Sequence, residues 1–233
     1  MNLAEILLRP DVWRGEAAAP VPAVATGFAA LDAVLPGGGW PRAALTEVTF
    51  PRPGIGELQL FLPALAALSR GDRWVAFIAP PYIPYAPALS AAGVDLSRLL
   101  MVYPKTHSDQ LWAVETSLRS GACAMVLAWA TYADSVHLRR LQLAAEAGAT
   151  GAVLFQRYSM PGSTAALRLR LESDPDDARL NVHVLKRRGG GPAGPFALDI
   201  RHDWKRPEKV RPRTFSGTLG QGQASASLHF SNT

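Results

Sequence analysis

From residue 45 the chain alternates between short apolar, often β-branched runs and stretches of helical periodicity, and this alternation restricts the fold more than any other feature. The runs are LTEVTF (45–50), RWVAFIA (73–79), LLMVY (99–103), AMVLAWA (124–130) and GAVLFQ (151–156). Between them, Leu111, Val114 and Leu118 fall on one face of a helix that Ser108 could cap and Gly121 could end. Leu138 and Leu141 do the same for a helix capped near Asp134 and closed at Gly148. Strands without polar alternation need cover on both faces, and the intervening helices supply it. The pattern predicts an α/β fold with a mostly parallel sheet flanked by helices.

The last third of the chain changes character. LRLRLES (167–173) alternates strictly, Asp174, Pro175, Asp176 and Asp177 form a polar turn, and NVHVLKRR (181–188) follows before a GGGPAGP loop and FALDIR (196–201). Strands joined by turns read as antiparallel additions at the sheet edge. At the other end, Leu3, Ile6 and Leu7 have helical spacing up to Pro10, which suits a short helix docked on its own domain or on a partner. GEAAAPVPAVA (15–25) reads as a linker, residues 26–204 as the core domain, and 205–233, polar and rich in Gly and Ser, as a tail disordered when alone.

Charge and cysteine content narrow the function classes. The chain has 24 Lys and Arg against 19 Asp and Glu, a net charge of +5. Arg201, Lys205, Arg206, Lys209, Arg211 and Arg213 against Asp203 and Glu208 put most of that excess beyond residue 200. A nearly neutral core lacks the broad basic footprint of a DNA-binding domain. No apolar run is long enough to span a bilayer, and Glu5, Arg9 and Pro10 interrupt the N-terminal apolar stretch, so a cytoplasmic protein is expected. Cys123 is the single cysteine, and its apolar run suits core packing better than catalysis. His107, His137, His183, His202 and His229 are scattered without metal-ligand spacing, and no Gly-x-Ser-x-Gly elbow occurs.

The stretch TGFAALDAVLPGGGWPRAALTEV (26–48) resembles the opening of the RecA recombinase core. It has a Thr-Gly, then Leu31-Asp32, then a Gly cluster before a Pro, then the first core strand. FIAPPYIPYAPALSAAGVDLSRLL (77–100) continues the resemblance, and VHVLKRRGG (182–190) is similar to the late RecA strand that carries lysines near the nucleotide. In that family the first strand runs into a phosphate-binding loop. A working loop needs Gly-Lys-Ser/Thr, so that N–H groups cradle the phosphates, Lys pairs with their charge and the hydroxyl holds Mg²⁺. Here the loop reads FPRPGIGELQL (50–60): Gly54 and Gly56 remain, but Glu57 and Leu58 stand where Lys and Ser/Thr should be. Pro51 and Pro53 remove two N–H donors, and Pro63 makes the next helix start late or kink. Ala79, Pro80 and Pro81 occupy the place of the RecA catalytic glutamate, and Trp129 the region of the Walker B aspartate, where it could fill nucleotide space. The chain is expected to be no ATPase and to use no cofactor.

A degenerate RecA fold describes two bacterial families that this chain resembles, through DRWVAFIAPP, GACAMVLAWA and LQLAAEAGATGAVLFQRYS. The ImuA family implies an adaptor in SOS-induced mutagenesis and translesion DNA synthesis. It binds the Y-family polymerase homologue ImuB and RecA itself, and indirectly DnaE2 and the replication clamp. The SulA family implies an inhibitor of FtsZ polymerisation and cell division. Length, the GGGWP segment and the late LKRRGG strand with a tail beyond it favour ImuA.

Contact residues are expected in three places. Arg157, Tyr158 and Met160 follow the fifth strand where RecA has a long DNA-gripping loop, here cut to about ten residues, and suit an ordinary polar strand end or, less readily, DNA or partner contact. Arg168 and Arg170 share one face of the LRLRL strand, which suits an ion-paired face or, less readily, a phosphate track. In the tail, Arg206, Lys209, Arg211 and Arg213 with Phe215, Leu219, Leu228 and Phe230 combine cations with isolated apolar anchors, a pattern better suited to a protein partner than to DNA. Trp40 and Trp74 are expected in the core or under the N-terminal segment.

Overall fold

The computed structural model describes residues 22–158, 162–173 and 179–200. The N-terminal helix expected at 3–9, Met160, and the tail residues Arg206, Lys209, Arg211, Arg213, Phe215, Leu219, Leu228 and Phe230 lie outside the described residues. A two-stranded antiparallel ribbon, β1 (Ala23–Val24) and β2 (Trp40–Pro41), frames the short helix α1 (Ala29–Asp32). Strand β3 (Leu45–Thr49) then enters the main sheet, followed by α2 (Leu62–Leu68), β4 (Trp74–Ile78), α3 (Ala86–Ala91), β5 (Leu99–Val102), α4 (His107–Arg119), β6 (Cys123–Trp129), α5 (Ser135–Ala147) and β7 (Gly151–Gln156). The late strands are β8 (Leu167–Ser173), β9 (Leu180–Lys186) and β10 (Ala193–Leu198).

The eight-stranded sheet has the order β10-β9-β8-β3-β7-β6-β4-β5. Every pairing from β3 through β5 is parallel, so the continuous apolar runs occupy the middle as the sequence predicts. The late strands differ in one respect. β8 pairs parallel with β3, opposite β7, while β9 and β10 are the antiparallel additions. Its strict alternation suits this place: Leu167, Leu169 and Leu171 are buried, while Arg168, Arg170 and Glu172 face the other way.

Alternation along each central strand divides the core in two. Val75 and Phe77 of β4 join a cluster with Leu62 and Leu65 of α2 and Leu89 of α3, whereas Ala76 and Ile78 join Leu111, Val114 and Leu118 of α4 and Leu138 and Leu141 of α5. Burial of each Leu, Ile, Val or Phe contributes about 1.5–3 kcal/mol, so both helical layers are held by their apolar stripes. Trp40 is 1% exposed and stacks on Phe61 with ring centroids 4.4 Å apart, as expected of a core tryptophan. Trp74 is not in the core: it opens β4 at the sheet margin, 40% exposed, with the Arg98 guanidinium 5.9 Å from its ring centroid.

Helix boundaries follow local chemistry. Thr106, rather than Ser108, caps α4 by accepting the Asp109 N–H at 3.1 Å. Asp134 caps α5 through the His137 N–H at 2.8 Å. Pro63 sits in the first turn of α2, where a missing N–H costs nothing, and a 3₁₀ turn at Gln59–Phe61 precedes it. The helix therefore starts late instead of kinking.

Candidate functional site

In parallel α/β sheets the crevice outside the carboxyl ends of the strands is where ligands bind. Here that crevice is built from the loop after β3, the segment after β4 and the last residue of β6. Beyond Thr49 the chain turns through Gly54 and Gly56, whose φ angles of +86° and +106° require residues without a Cβ. A Cβ at Gly56 would also lie 2.0 Å from Ile200 Cδ1. Glu57 is 5% exposed, and its two carboxylate oxygens accept the Gly54 N–H at 3.1 and 3.0 Å. The loop thus closes on an anion from its own chain.

After β4, Ala79 has a φ of +51°, a conformation costly for a residue with a Cβ, and Pro80 and Pro81 follow it. Beyond them Tyr82, Ile83 and Tyr85 are 70%, 85% and 72% exposed. Trp129 closes the back of the crevice. Its ring stacks on Phe155 at 4.7 Å and meets the edge of Phe77 at 5.8 Å, and the Gln110 side chain donates to its carbonyl oxygen. Pro80, Pro81, Tyr82, Tyr85 and Trp129, with Leu58, Leu62 and Leu89, line an apolar cavity of about 260 Å³.

This arrangement does not fit a nucleotide phosphate. The loop N–H that would meet the anion is taken by Glu57, a second negative charge would be repelled by that carboxylate, and Leu58 offers no hydroxyl to a metal. Trp129 occupies the β6 position expected to fill nucleotide space and lines the cavity there. Among the described residues, no group of three or more His, Cys, Asp and Glu side chains is placed to hold a metal ion. Among them, too, no helix is long and apolar enough to cross a membrane.

The other expected contact residues fall apart from one another. Arg157 and Tyr158 are exposed just past the carboxyl end of β7. Arg168 faces β3, where its Nε lies 3.1 Å from the buried carboxylate of Glu47. Arg170 pairs with Glu172 at 3.0 Å on the solvated face of β8. Glu47 is also reached by Gln156, whose Nε2 donates to it at 3.3 Å while its Oε1 accepts the Ala133 N–H at 3.1 Å. This buried polar chain is not evident from apolar periodicity. Its signal is a lone Glu inside the LTEVTF run, which can be buried only with a partner.

Comparison with known proteins places the chain. Residues 33–162 match the family model described as the MT3502 N-terminal domain. Protein ImuA of Caulobacter vibrioides is 31% identical over 203 residues, covering 75% of this chain and 82% of that protein. Protein RecA of Acidothermus cellulolyticus is 35% identical over 112 residues, which are 48% of this chain and 32% of RecA, so the chain spans about a third of that relative's length. The crystal structure of SulA from Pseudomonas aeruginosa matches 48% of this chain and 96% of its own at 25% identity, with a TM-score of 0.41. With a mostly parallel sheet, antiparallel late strands and a RecA-related core, the chain carries an MT3502 N-terminal domain and belongs to the ImuA family.

Proposed function

We propose that this protein is a non-catalytic RecA-like adaptor in SOS-induced mutagenesis and translesion DNA synthesis. In this role it binds the polymerase homologue ImuB and RecA. Membership in the ImuA family supports the process. The observation that carries the non-catalytic part is the hydrogen bonding of Gly54 to Glu57, which satisfies the loop internally and sets a carboxylate where a phosphate would need cations. A RecA-like body without turnover can present filament-type edges and stay bound, capping or mimicking a protomer. DnaE2 and the replication clamp join through ImuB. Arg206, Lys209, Arg211 and Arg213 orient the tail on its partner and Phe215, Leu228 and Phe230 anchor it, while Arg157, Tyr158, Arg168 and Arg170 offer secondary contacts to protein or weakly to DNA.

Co-purification with ImuB and with RecA, using the full chain and one ending at residue 204, tests this reading. Retention of both partners by the full chain and their loss on truncation is expected. Equal binding by the shortened chain would remove the tail from the mechanism, and DNA-stimulated ATP turnover by the pure protein would end the non-catalytic reading.

A further inference from the structure

One short loop exposes Tyr82, Ile83 and Tyr85, and the two tyrosines stand at the rim of the apolar cavity, with Leu62, Leu89 and Trp129 beneath. A concentration of this kind marks a docking surface more often than ordinary solvent-facing chain. The indole N–H of Trp129 is buried and has no acceptor among the described residues. At about 260 Å³ the cavity lies just under the ~300–1,000 Å³ of small-molecule pockets and suits inserted side chains.

The path of the chain identifies an occupant. A second, more polar cavity shares Gly54, Gly56, Gln59 and Tyr82 with the first and is also lined by Ile200. Ile200 is the last described residue and packs on Gly56 at the wall of the crevice, so residues 201–233 are tethered there. From Thr214 to Thr233 that segment has no Lys, Arg, Asp or Glu, and it carries Phe215, Leu219, Leu228 and Phe230. An extended chain covers about 3.3–3.6 Å per residue, which brings all four within reach. The other end of the described chain lies elsewhere. The Pro22 carbonyl accepts the Arg42 N–H at 2.9 Å, and Pro41 abuts Gly151, the first residue of β7, so residues 1–21 are tethered near the amino ends of the strands.

We propose that the crevice is a docking site for the chain's own C-terminal segment, with an aromatic side chain of residues 214–233, Phe215 or Phe230, inserted beside Trp129 under Tyr82 and Tyr85. Tethering holds the segment at an effective concentration in the millimolar range, so weak docking fills the site. A partner that uses the same anchors must then compete with the crevice, a consequence that rests on the adaptor reading, while the docking itself does not.

Photo-crosslinking of the full chain tests this, with benzoylphenylalanine replacing Phe215 or Phe230 and the products mapped by mass spectrometry in dilute solution. Crosslinks within one chain to residues 54–62 or 80–89, from at least one of the two positions, are the expected result. They should disappear in Ala88→Trp, which fills the crevice from α3, and persist in Arg119→Ala on the remote face of α4. Tyr82→Ser with Tyr85→Ser removes the rim from exposed positions and gives the same loss if Ala88→Trp does not fold. Crosslinks elsewhere in the chain, no crosslinks, crosslinks that survive both crevice variants, or linked dimers whose yield rises with concentration would each overturn the proposal. Failure of ImuB co-purification would leave these products unchanged, so the two readings fail separately.

Discussion

Gly54 donates its N–H to both carboxylate oxygens of Glu57, three residues on, at 3.1 and 3.0 Å. The geometry is that of an anion held by a glycine-rich loop, with the anion attached to the loop. Glu57 is nearly buried, so its charge depends on this hydrogen bond for part of the solvation that water would supply. Glu57→Ala should lower stability by about 1–2 kcal/mol, read as a shift in the urea midpoint at unchanged slope. A midpoint equal to wild type would show that the contact holds nothing.

Glu47 and Arg168 face each other across the β3–β8 pairing, one carboxylate 0% exposed and its partner at 3.1 Å. Removing the cation strands a buried charge, a loss usually larger than the net worth of the pair. Arg168→Met should therefore cost about 3 kcal/mol. Adding Glu47→Gln removes the stranded charge, and the double variant should recover at least about 1 kcal/mol relative to additivity. Additive losses in chemical unfolding would contradict this coupling.

The two examples show where the fold was legible. The parallel centre of the sheet follows from apolar runs spaced by amphipathic helices, because the two-sided burial of a parallel strand is written in its own composition. The place of the loop residues Gly54, Gly56, Glu57 and Leu58 follows from the resemblance at 26–48, which puts a phosphate-binding loop after the first strand. Its occupation by Glu57 does not, because a carboxylate turning back on its own loop depends on positive φ at Gly54 and Gly56 in three dimensions. The parallel entry of β8 was likewise hidden: strict alternation specifies a strand with one buried face but says nothing of its direction. Trp74 lies outside the core because it opens its strand at the sheet margin, a position that apolar neighbours in sequence do not reveal.

The cap of α5 gives a pH signature. The His137 backbone N–H holds the Asp134 carboxyl below its ordinary range against desolvation, and the His137 imidazole adds a smaller lowering. A group whose pKa is depressed by folding contributes stability above its unfolded value of about 3.9 and loses it as pH falls through the folded value. Asparagine caps a helix about as well as aspartate but carries no charge. Asp134→Asn should therefore melt below wild type near neutrality, with the gap closing as pH drops below about 4. A gap that stays constant on acidification would exclude the charge as its source.

Cys123 opens β6, 4% exposed, and burial raises its thiol pKa against the opposing charge of Arg73. A protonated, covered thiol is a poor nucleophile. Reaction with a disulfide reagent in native buffer should run at least about a hundredfold slower than in denaturant, at a rate set by opening of the structure. Rapid labelling of the folded protein would show that β6 is accessible at its amino end.

Trp129 is held by two aromatic neighbours, Phe155 stacked at 4.7 Å and Phe77 edge-on at 5.8 Å, while one side of its ring lines the crevice. Its packing and its N–H make separable contributions. Trp129→Ala removes both ring contacts and opens a void at the carboxyl end of β6, a change expected to cost about 3 kcal/mol. Trp129→Phe keeps an aromatic ring against Phe155 and deletes an N–H that has no acceptor among the described residues, so the loss should be only about 1 kcal/mol. Urea unfolding of the two variants measures the difference. If Phe costs as much as Ala, the indole N–H is engaged in the intact protein, and the crevice holds an acceptor that reaches it.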